Sequence, residues 1–206
     1  MPKVTFIIPT IGRASLQESV QCLLNQTVDE WLAIIIFDGI EPNFESNDPR
    51  ITIVSAPKLG EGTNSAGSVR NYGISRATTE WIAFLDDDDK ISNNYTECLL
   101  SEAHIFPRQD LIIFRMKWDG FDNAILPRKE QTMYICCEVG ISFALKKHIF
   151  DSGIQFIPSK IEDFLLLEAV REKGYKMMIS PHVKYFVRCD AEEKYPIKGR
   201  RGFINL

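Results

Sequence analysis

Short apolar runs alternate with polar segments through the first half of the chain. Each run stops at proline, glycine or a charged residue, which is typical of a strand that is buried on both faces. The strands predicted in this way span residues 3–10, 31–39, 50–57 and 80–89. Strands that are apolar throughout are covered on both sides. The pattern therefore predicts an α/β fold with a mostly parallel sheet flanked by helices.

Helical spacing of apolar residues marks the segments between these strands. Residues 15–27 are apolar at positions 16, 20, 23 and 24, and Ser15 with Glu18 has the spacing of a capping box at the start of this helix. Two more helices are predicted over residues 69–77 and 92–106. Strand and helix thus alternate, as expected for right-handed crossovers between parallel strands.

The pattern changes after residue 108. Residues 110–118 and 132–146 predict longer strands that can pair antiparallel, and residues 161–174 predict an amphipathic helix that ends at Gly174. Two late strands are predicted over residues 175–180 and 182–188. The second half therefore continues the sheet with a different connectivity.

Composition narrows the class of protein. The 206 residues carry a net charge of −4, which argues against a general nucleic-acid-binding protein. Five cysteines without the spacing of zinc ligands indicate a reducing compartment. No apolar run approaches the length needed to span a bilayer. We therefore expect a single soluble domain in the cytoplasm, with no membrane span.

Polar residues follow three of the predicted strands, and they are the main candidates for chemistry. The first strand is followed by Thr10 and Arg13, the second ends at Asp38, and the fourth runs into four aspartates, residues 86–89. Ligands of open α/β sheets bind beyond the carboxyl ends of the strands. These side chains are therefore predicted to meet at one rim of the sheet.

The four aspartates repel one another unless a cation lies among them. In extended chain Asp86 and Asp88 would point to one side and Asp87 to the other. Carboxylate oxygens favour Mg²⁺ or Mn²⁺, and Mg²⁺ completes its shell with substrate phosphates. The run therefore predicts a metal-diphosphate site. The alternative is an acidic, solvated loop that caps the next helix, and Asp89 is predicted to serve as that cap.

Two further segments carry candidate groups with open alternatives. Arg70 opens a helix after a glycine-containing loop and can bind a phosphate or form a surface ion pair. Glu162 and Asp163 begin the late amphipathic helix, where they can cap its N-terminus or supply a general base. The local sequence leaves both choices open.

Five segments, taken in order, give a resemblance to a known family. They read VTFIIPTIGR, IIIFDG, SAGSVRNYGISRATTEWIAFLDDDD, GISFALKKHIFDSGIQF and IEDFLLLEAVREKGYKMMI. The chain resembles the family-2-type inverting glycosyltransferases with the GT-A (Rossmann-like) fold of nucleotide-diphospho-sugar transferases, over residues 3–190. The resemblance implies a nucleotide-sugar-binding half, residues 1–105, and an acceptor-binding and catalytic-base half, residues 106–206.

The resemblance also implies a role for each matching residue. The nucleotide-sugar donor would be bound by Pro9, Thr10, Arg13, Asp38, Arg70, Asp86 and Asp87, with Asp38 holding uracil. Asp88 would be the direct ligand of Mn²⁺ or Mg²⁺. Asp163 would be the catalytic base, with Glu162 as its support or as the alternative base. The implied partners are a nucleoside-diphosphate sugar, with UDP favoured and UDP-glucose as an example, and a glycan or glycoconjugate acceptor.

One segment departs from the family pattern. Many members have a histidine after the last strand, whereas this chain reads YFVRCDAEEKY there. Arg188 and Asp190 are therefore candidates to contact the metal or the diphosphate. The later basic group at positions 194, 198, 200 and 201 is predicted either to close over the diphosphate or to form a solvated tail.

Other functions stay open at this point. A nucleotidyltransferase or phosphatase can also place aspartates at a strand end, and a non-catalytic sugar- or metal-binding module needs no base. Short size resembles glycosyltransferase domains of bacterial polysaccharide loci or large DNA viruses, which in the viral case implies the host cytoplasm.

Overall fold

One sheet of nine strands organises the molecule, and the computed structural model describes residues 1–59, 66–118 and 124–188. The strands are β1 Val4–Thr10, β2 Trp31–Asp38, β3 Ile51–Ala56, β4 Trp81–Phe84, β5 Lys90–Ile91, β6 Leu111–Trp118, β7 Ile125–Leu126, β8 Phe143–Lys146 and β9 Met177–Val187. The helices are α1 Leu16–Leu24, α2 Ala66–Ile74, α3 Tyr95–Ile105, α4 His148–Asp151 and α5 Glu162–Glu172. The alternation predicted for the first half is confirmed.

The strand order is β3-β2-β1-β4-β8-β6-β9-β5, with β7 paired to β6. Strands β1 to β4 are parallel, and β8 lies antiparallel between β4 and β6. Strand β9 runs parallel to β6. The mostly parallel, mixed sheet that the apolar pattern predicts is therefore present. The carboxyl ends of β1, β2, β4, β6 and β9 consequently lie along one edge.

Aromatic packing joins the two halves of the sheet. Phe84 at the end of β4 is fully buried and contacts Phe143 of β8 and Phe156, with ring centroids 5.6 and 5.3 Å apart. Burying one such ring contributes roughly 2–3 kcal/mol. The strand that leads into the aspartate run is thus fixed by residues from the second half of the chain.

The prediction of a strand over residues 132–146 is mostly wrong. Only Phe143–Lys146 is strand, and Met133 and Ile135 are exposed. Cys137 adopts φ 66, which turns the backbone out of an extended course. Tyr134 instead donates its hydroxyl to the Leu167 carbonyl and to Glu168 on α5, so this segment packs through a side chain rather than through a strand ladder.

Two local predictions also need correction. The strands predicted over 175–180 and 182–188 are a single strand, β9, with an irregular register against β6. The capping box of Ser15 and Glu18 is absent, since the structure shows no side-chain cap at the start of α1. Glu18 instead pairs with Lys90 at 2.9 Å and with Arg188, two full charges that compete successfully with one backbone amide.

Within the described parts of the chain, no helix is long and apolar enough to cross a lipid bilayer.

Candidate active site

The aspartate run forms a tight turn just beyond β4. The Asp89 amide donates to the Asp86 carbonyl at 3.1 Å, so the chain is not extended here. Arg13 donates to Asp87 at 2.9 Å and to Asp88 at 2.7 Å from the same nitrogen. The prediction that Asp86 and Asp88 share one side with Asp87 opposite is therefore wrong: Asp87 and Asp88 both face Arg13.

Thr10 fixes this turn from the end of β1. Its hydroxyl donates to the buried Asp87 carboxylate at 2.6 Å and accepts the Gly12 amide at 2.9 Å. Residue Pro9 precedes it in register with Ile36 of β2. The predicted convergence of the first and fourth strand ends is thus present, since Thr10 and Arg13 both bind Asp87 and Arg13 also binds Asp88.

Asp89 does not cap the following helix. Strand β5 intervenes, α3 begins at Tyr95, and the Asp89 carboxylate accepts the backbone amide of Arg188 at 2.9 Å. Burial and the neighbouring charge of Asp86 raise the pKa of Asp89 to about 8. The turn therefore directs Asp89 inward, toward the last strand, because β9 closes over it.

Arg70 is a buried bridge between the aspartate run and the late helix. Its guanidinium donates to Asp86 at 2.6 Å and to Glu162, and it lies 5.5 Å from the Phe156 ring. Arg70 is only 4% exposed, so the alternative prediction of a surface ion pair is wrong. Two carboxylates from distant parts of the chain compensate the cost of burying this cation.

Glu162 and Asp163 have different surroundings although they are adjacent. Glu162 accepts from Arg70 and from the Gly67 amide, the latter at 3.0 Å. Asp163 accepts the Phe164 amide at 2.8 Å, and no side chain in the described ranges hydrogen-bonds to it. Burial raises the pKa of Asp163, and burial raises that of Glu162 against the lowering effect of Arg70.

Gly67 is required by the position of Glu162. A Cβ atom at this residue would lie 2.4 Å from a Glu162 carboxylate oxygen and 2.9 Å from Phe156 Cβ. The glycine therefore lets the first turn of α2 approach Glu162 closely enough to donate its amide.

Asp38 lies at the end of β2 and is paired separately. Its carboxylate accepts the Leu59 amide at 2.7 Å and binds the Lys58 ammonium. The residue is 3% exposed, and Lys58 is the more exposed partner. No described contact joins Asp38 to the aspartate run, although both lie at the same edge of the sheet.

The predicted residues at the C-terminal end are only partly described. Arg188 directs its guanidinium to Glu18, beside the aspartate turn. Asp190 and the basic group at positions 194 to 201 lie outside the described residues, as do Gly60 and Gly62 of the glycine-containing loop.

A cavity of about 350 Å³ opens between these elements. Its charged lining consists of Arg70, Asp86, Asp89, Lys160, Glu162 and Asp163. One wall of the cavity is apolar and is formed by Trp118 and Val187, at the carboxyl ends of β6 and β9. Asp38 and Asp88 do not line it, so the predicted residues divide into a rim group and a cavity group.

Sequence reasoning missed several residues of this site. Tyr185 accepts the Asp86 amide through its hydroxyl at 3.1 Å, and burial raises its pKa well above the ordinary range. Lys58 also holds the Asp38 carboxylate directly. Gly67 belongs to the glycine-containing loop that the sequence marks before Arg70, whereas Tyr185 and Lys58 depend on contacts between separate segments.

Comparison with known proteins gives one family. Residues 5–161 match the family model described as Glycosyl transferase family 2. A GalNAc(5)-diNAcBac-PP-undecaprenol beta-1,3-glucosyltransferase of Campylobacter jejuni is 28% identical over 113 residues, which cover 50% of this chain and 35% of that protein. A glycosyltransferase of Haemophilus influenzae is 24% identical over 204 residues, 91% of this chain and 80% of that one.

The fold also matches solved structures. S. aureus TarS 1-349 in complex with UDP-GlcNAc superposes with a TM-score of 0.69 at 15% identity, covering 91% of this chain and 59% of that chain. The chain thus spans about a third of the C. jejuni relative and somewhat more than half of the TarS fragment. The predicted GT-A fold is confirmed.

Proposed function

The chain belongs to glycosyl transferase family 2, and on that premise we propose that it transfers a sugar from a nucleoside-diphosphate sugar to a hydroxyl group of a glycan or glycoconjugate, inverting the anomeric carbon. The sheet edge supplies a rim of polar residues, and the adjacent cavity holds the two late carboxylates. Residues 1–105 form the donor-binding half and residues 106–206 the acceptor-binding half in this proposal.

The division between Glu162 and Asp163 is the observation that carries the proposal. Glu162 accepts one hydrogen bond at each oxygen, from a buried guanidinium and from a backbone amide, so both of its oxygens are held by the protein. Asp163 lines the cavity without a side-chain partner among the described residues, and burial raises its pKa. A carboxylate in that state accepts a proton more readily than a solvated one. We therefore assign Asp163 as the base and Glu162 as its support.

The reaction is a displacement at the anomeric carbon. Asp163 takes the proton of the acceptor hydroxyl as its oxygen forms a bond to that carbon from the face opposite the diphosphate. The bond from the anomeric carbon to the diphosphate oxygen breaks, and its electron pair leaves with the nucleoside diphosphate. The transition state resembles the oxocarbenium ion of glycoside hydrolysis, and no covalent enzyme intermediate is required.

We assign donor binding to the rim. UDP is the favoured nucleotide because the matched TarS structure is a complex with UDP-GlcNAc. UDP-glucose is one candidate for the whole donor. Asp38 binds the base through the carboxylate that Lys58 and the Leu59 amide hold in this structure. Pro9, Thr10 and Arg13 line the pocket beside Asp87.

The carboxylates of the turn fit a divalent cation. Asp86 to Asp89 offer only oxygen donors, which Mg²⁺ and Mn²⁺ prefer. Burial and the charge of Asp86 raise the pKa of Asp88, although the neighbouring Arg13 acts in the opposite direction. Asp88, half-exposed at the rim, would hold the ion, with Asp86 and Asp87 toward the ribose and the metal's water shell. A bound ion neutralises charge that develops on the leaving diphosphate.

Two adjacent substitutions test this assignment. Asp163→Asn should lower the rate of UDP-sugar turnover by about 10²–10⁴-fold, the usual contribution of a positioned base, and leave the donor Kd unchanged. Turnover is measured as UDP release from UDP-GlcNAc and UDP-glucose with Mn²⁺, first with water as acceptor. Glu162→Gln is the comparison, since it retains shape but weakens the contact with Arg70.

The outcomes separate the two roles. A near-normal rate in Asp163→Asn together with a lost rate in Glu162→Gln would make Glu162 the base. Failure of all nucleoside-diphosphate sugars to raise the Tm of the wild-type protein would overturn the proposed function itself. Cytoplasmic location belongs to the same proposal, because nucleotide sugars would then reach the site directly.

A further inference from the structure

We propose that Cys98, Glu102 and His182 form a zinc-binding site between α3 and β9, separate from the proposed catalytic site. None of the three residues lines the catalytic cavity. One ligand atom from each residue lies within 4.8 Å of the other two, which is the arrangement of a three-residue metal site.

The secondary structure brings the three ligands together from two elements. Cys98 and Glu102 are four residues apart on α3, so they share one face of that helix. His182 lies where β9 departs from regular pairing: Ile113 pairs with Ile179, but Arg115 pairs with Val183. Two extra residues of β9 therefore stand out of the ladder, and such bulges redirect side chains.

Two linked hydrogen bonds stabilise the irregular segment of β9. The His182 amide donates to the Ser180 hydroxyl at 3.1 Å, and that hydroxyl donates to the Glu102 carboxylate at 2.6 Å. The bulge is thus fixed to the same carboxylate that the proposed site uses, which presents His182 beside Glu102.

Glu102 supplies the independent observation that a ligand belongs here. The residue is 6% exposed, and its Oε2 atom is buried with no hydrogen-bond partner among the described residues. A carboxylate oxygen left without a partner costs free energy, because its hydration has been lost. The other oxygen, Oε1, lies 3.7 Å from His182 Nε2. A cation bound at Oε2 would satisfy this atom.

The nearby lysine does not take that role in the structure. Lys184 directs its ammonium to the Asn94 side-chain oxygen at 2.8 Å, at the other end of the helix face. The positive charge of Lys184 repels a cation, but the negative charges of Glu102 and of the Cys98 thiolate outweigh this repulsion. The exposed side of the cluster is formed by His182, whose side chain is 53% exposed.

The ligand set selects zinc. A thiolate, an imidazole and a carboxylate are the three ligand types of tetrahedral zinc sites, whereas Mg²⁺ and Mn²⁺ favour all-oxygen ligands. Water would complete the coordination of a bound ion on the exposed side. On binding, the Cys98 thiol releases its proton to solvent, so zinc affinity should rise with pH. The site would join α3 to the strand whose later residues, Tyr185 and Val187, reach the catalytic cavity.

Cobalt and zinc titrations of the full chain test the proposal. The protein is stripped with a chelator, supplied with excess Mg²⁺ to occupy oxygen sites, and titrated with Co²⁺. A thiolate-to-cobalt charge-transfer band and displacement of one equivalent by Zn²⁺ are expected. Cys98→Ser should abolish the band, and His182→Ala should weaken zinc binding by at least about tenfold, since even outer-shell partners matter to that extent.

Matched controls distinguish the site from other cysteines and histidines. Cys22→Ser removes a free thiol on another helix, and His148→Ala removes a histidine that also lies 3.7 Å from a carboxylate, that of Asp110. Both should bind zinc as the wild type does. Zinc should raise the Tm of the wild type and of these controls, but not the Tm of Cys98→Ser. The circular dichroism spectrum of Cys98→Ser, compared with that of the wild type, shows whether this variant is folded.

Three results would overturn the site. They are no binding of zinc at micromolar concentration, binding unchanged in both Cys98→Ser and His182→Ala, or loss of the band only in a Cys136→Ser, Cys137→Ser double variant. Since none of these readouts uses donor or acceptor, they stand apart from a failure of the proposed transferase activity.

Discussion

At the residue scale, the site depends on how burial changes carboxylates. Burial raises the pKa of both Asp163 and Glu162, but of the two only Glu162 forms an ion pair with Arg70. Adjacent residues of the same charge thus have different contacts because the helix start presents them to different neighbours. Sequence position alone gave both residues the same alternatives.

The pH dependence of turnover should report Asp163. The base acts when deprotonated, so kcat/KM rises with pH through its pKa, and burial raises that pKa above the ordinary value of about 3.9. The acid limb of the profile, measured by UDP release, should therefore lie above that value. Circular dichroism over the same range confirms folding; an acid limb at or below the ordinary aspartate value contradicts a buried base.

Metal dependence should reside in Asp88. Asp88→Ala is expected to lose the increase in UDP affinity that Mn²⁺ confers on the wild type, measured by calorimetry with and without the ion. Asp151→Ala, which removes an exposed aspartate paired with Lys147, should retain it. Equal Mn²⁺-dependent UDP affinity in Asp88→Ala and the wild type would place the ion elsewhere.

At the element scale, Arg70 connects three parts of the fold. It lies on α2 and contacts the turn after β4 through Asp86 and the start of α5 through Glu162. Arg70→Met would leave two carboxylates near the cavity without their cation, which typically costs about 3–5 kcal/mol of the free energy of unfolding. Urea unfolding measures this loss, and turnover should fall with it.

An exposed ion pair is the control for Arg70. Arg171→Met removes a cation that pairs with Glu168 on the surface of α5, and such pairs contribute little to stability. If both variants unfold at the same urea concentration as the wild type, Arg70 does not act as a buried bridge.

The elements themselves were predictable to different degrees. β1 to β4, α2, α3 and α5 follow the apolar pattern because each buries a continuous local face. The segment 132–141 did not, since its continuous apolar run at 133–137 resembles a buried strand, yet Tyr134 packs on α5 and Cys137 turns the chain. Short elements such as β5 and β7 depend on partners, and no local pattern marks them.

At the scale of the whole molecule, the order of strands interleaves the two halves. β8 from the second half pairs with β4, and β5 from the first half pairs with β9. The buried core runs through both, with Phe6, Tyr95 and Phe114 in one aromatic cluster. The proposed donor and acceptor halves therefore share one sheet.

This interleaving predicts cooperative unfolding. Thermal unfolding should show one transition, with coincident curves from tryptophan fluorescence and far-ultraviolet circular dichroism, because β4 and β5 of the first half pair with strands of the second half. A fragment of residues 1–105 should not fold, since β4 loses β8. Two separated transitions, or a folded fragment, would divide the chain into two independent units.

The sequence by itself determined β1 to β4 and the three helices of the first half, the polar residues at the strand ends and the family resemblance. These are local properties, set by hydrophobic periodicity and by which residues interrupt it. The residues of the rim were thus identified before their contacts were known, and Thr10 with Arg13 does meet Asp87 and Asp88.

Only the tertiary structure decided which partners those residues contact. The aspartate run turns instead of staying extended, Asp89 faces β9 instead of capping α3, and Glu18 pairs with Lys90 and Arg188 instead of capping α1. Arg70 selects Glu162 as its partner and so leaves Asp163 to the cavity. Each choice depends on charges brought together from distant segments, and burial strengthens such contacts in a way that no local pattern records.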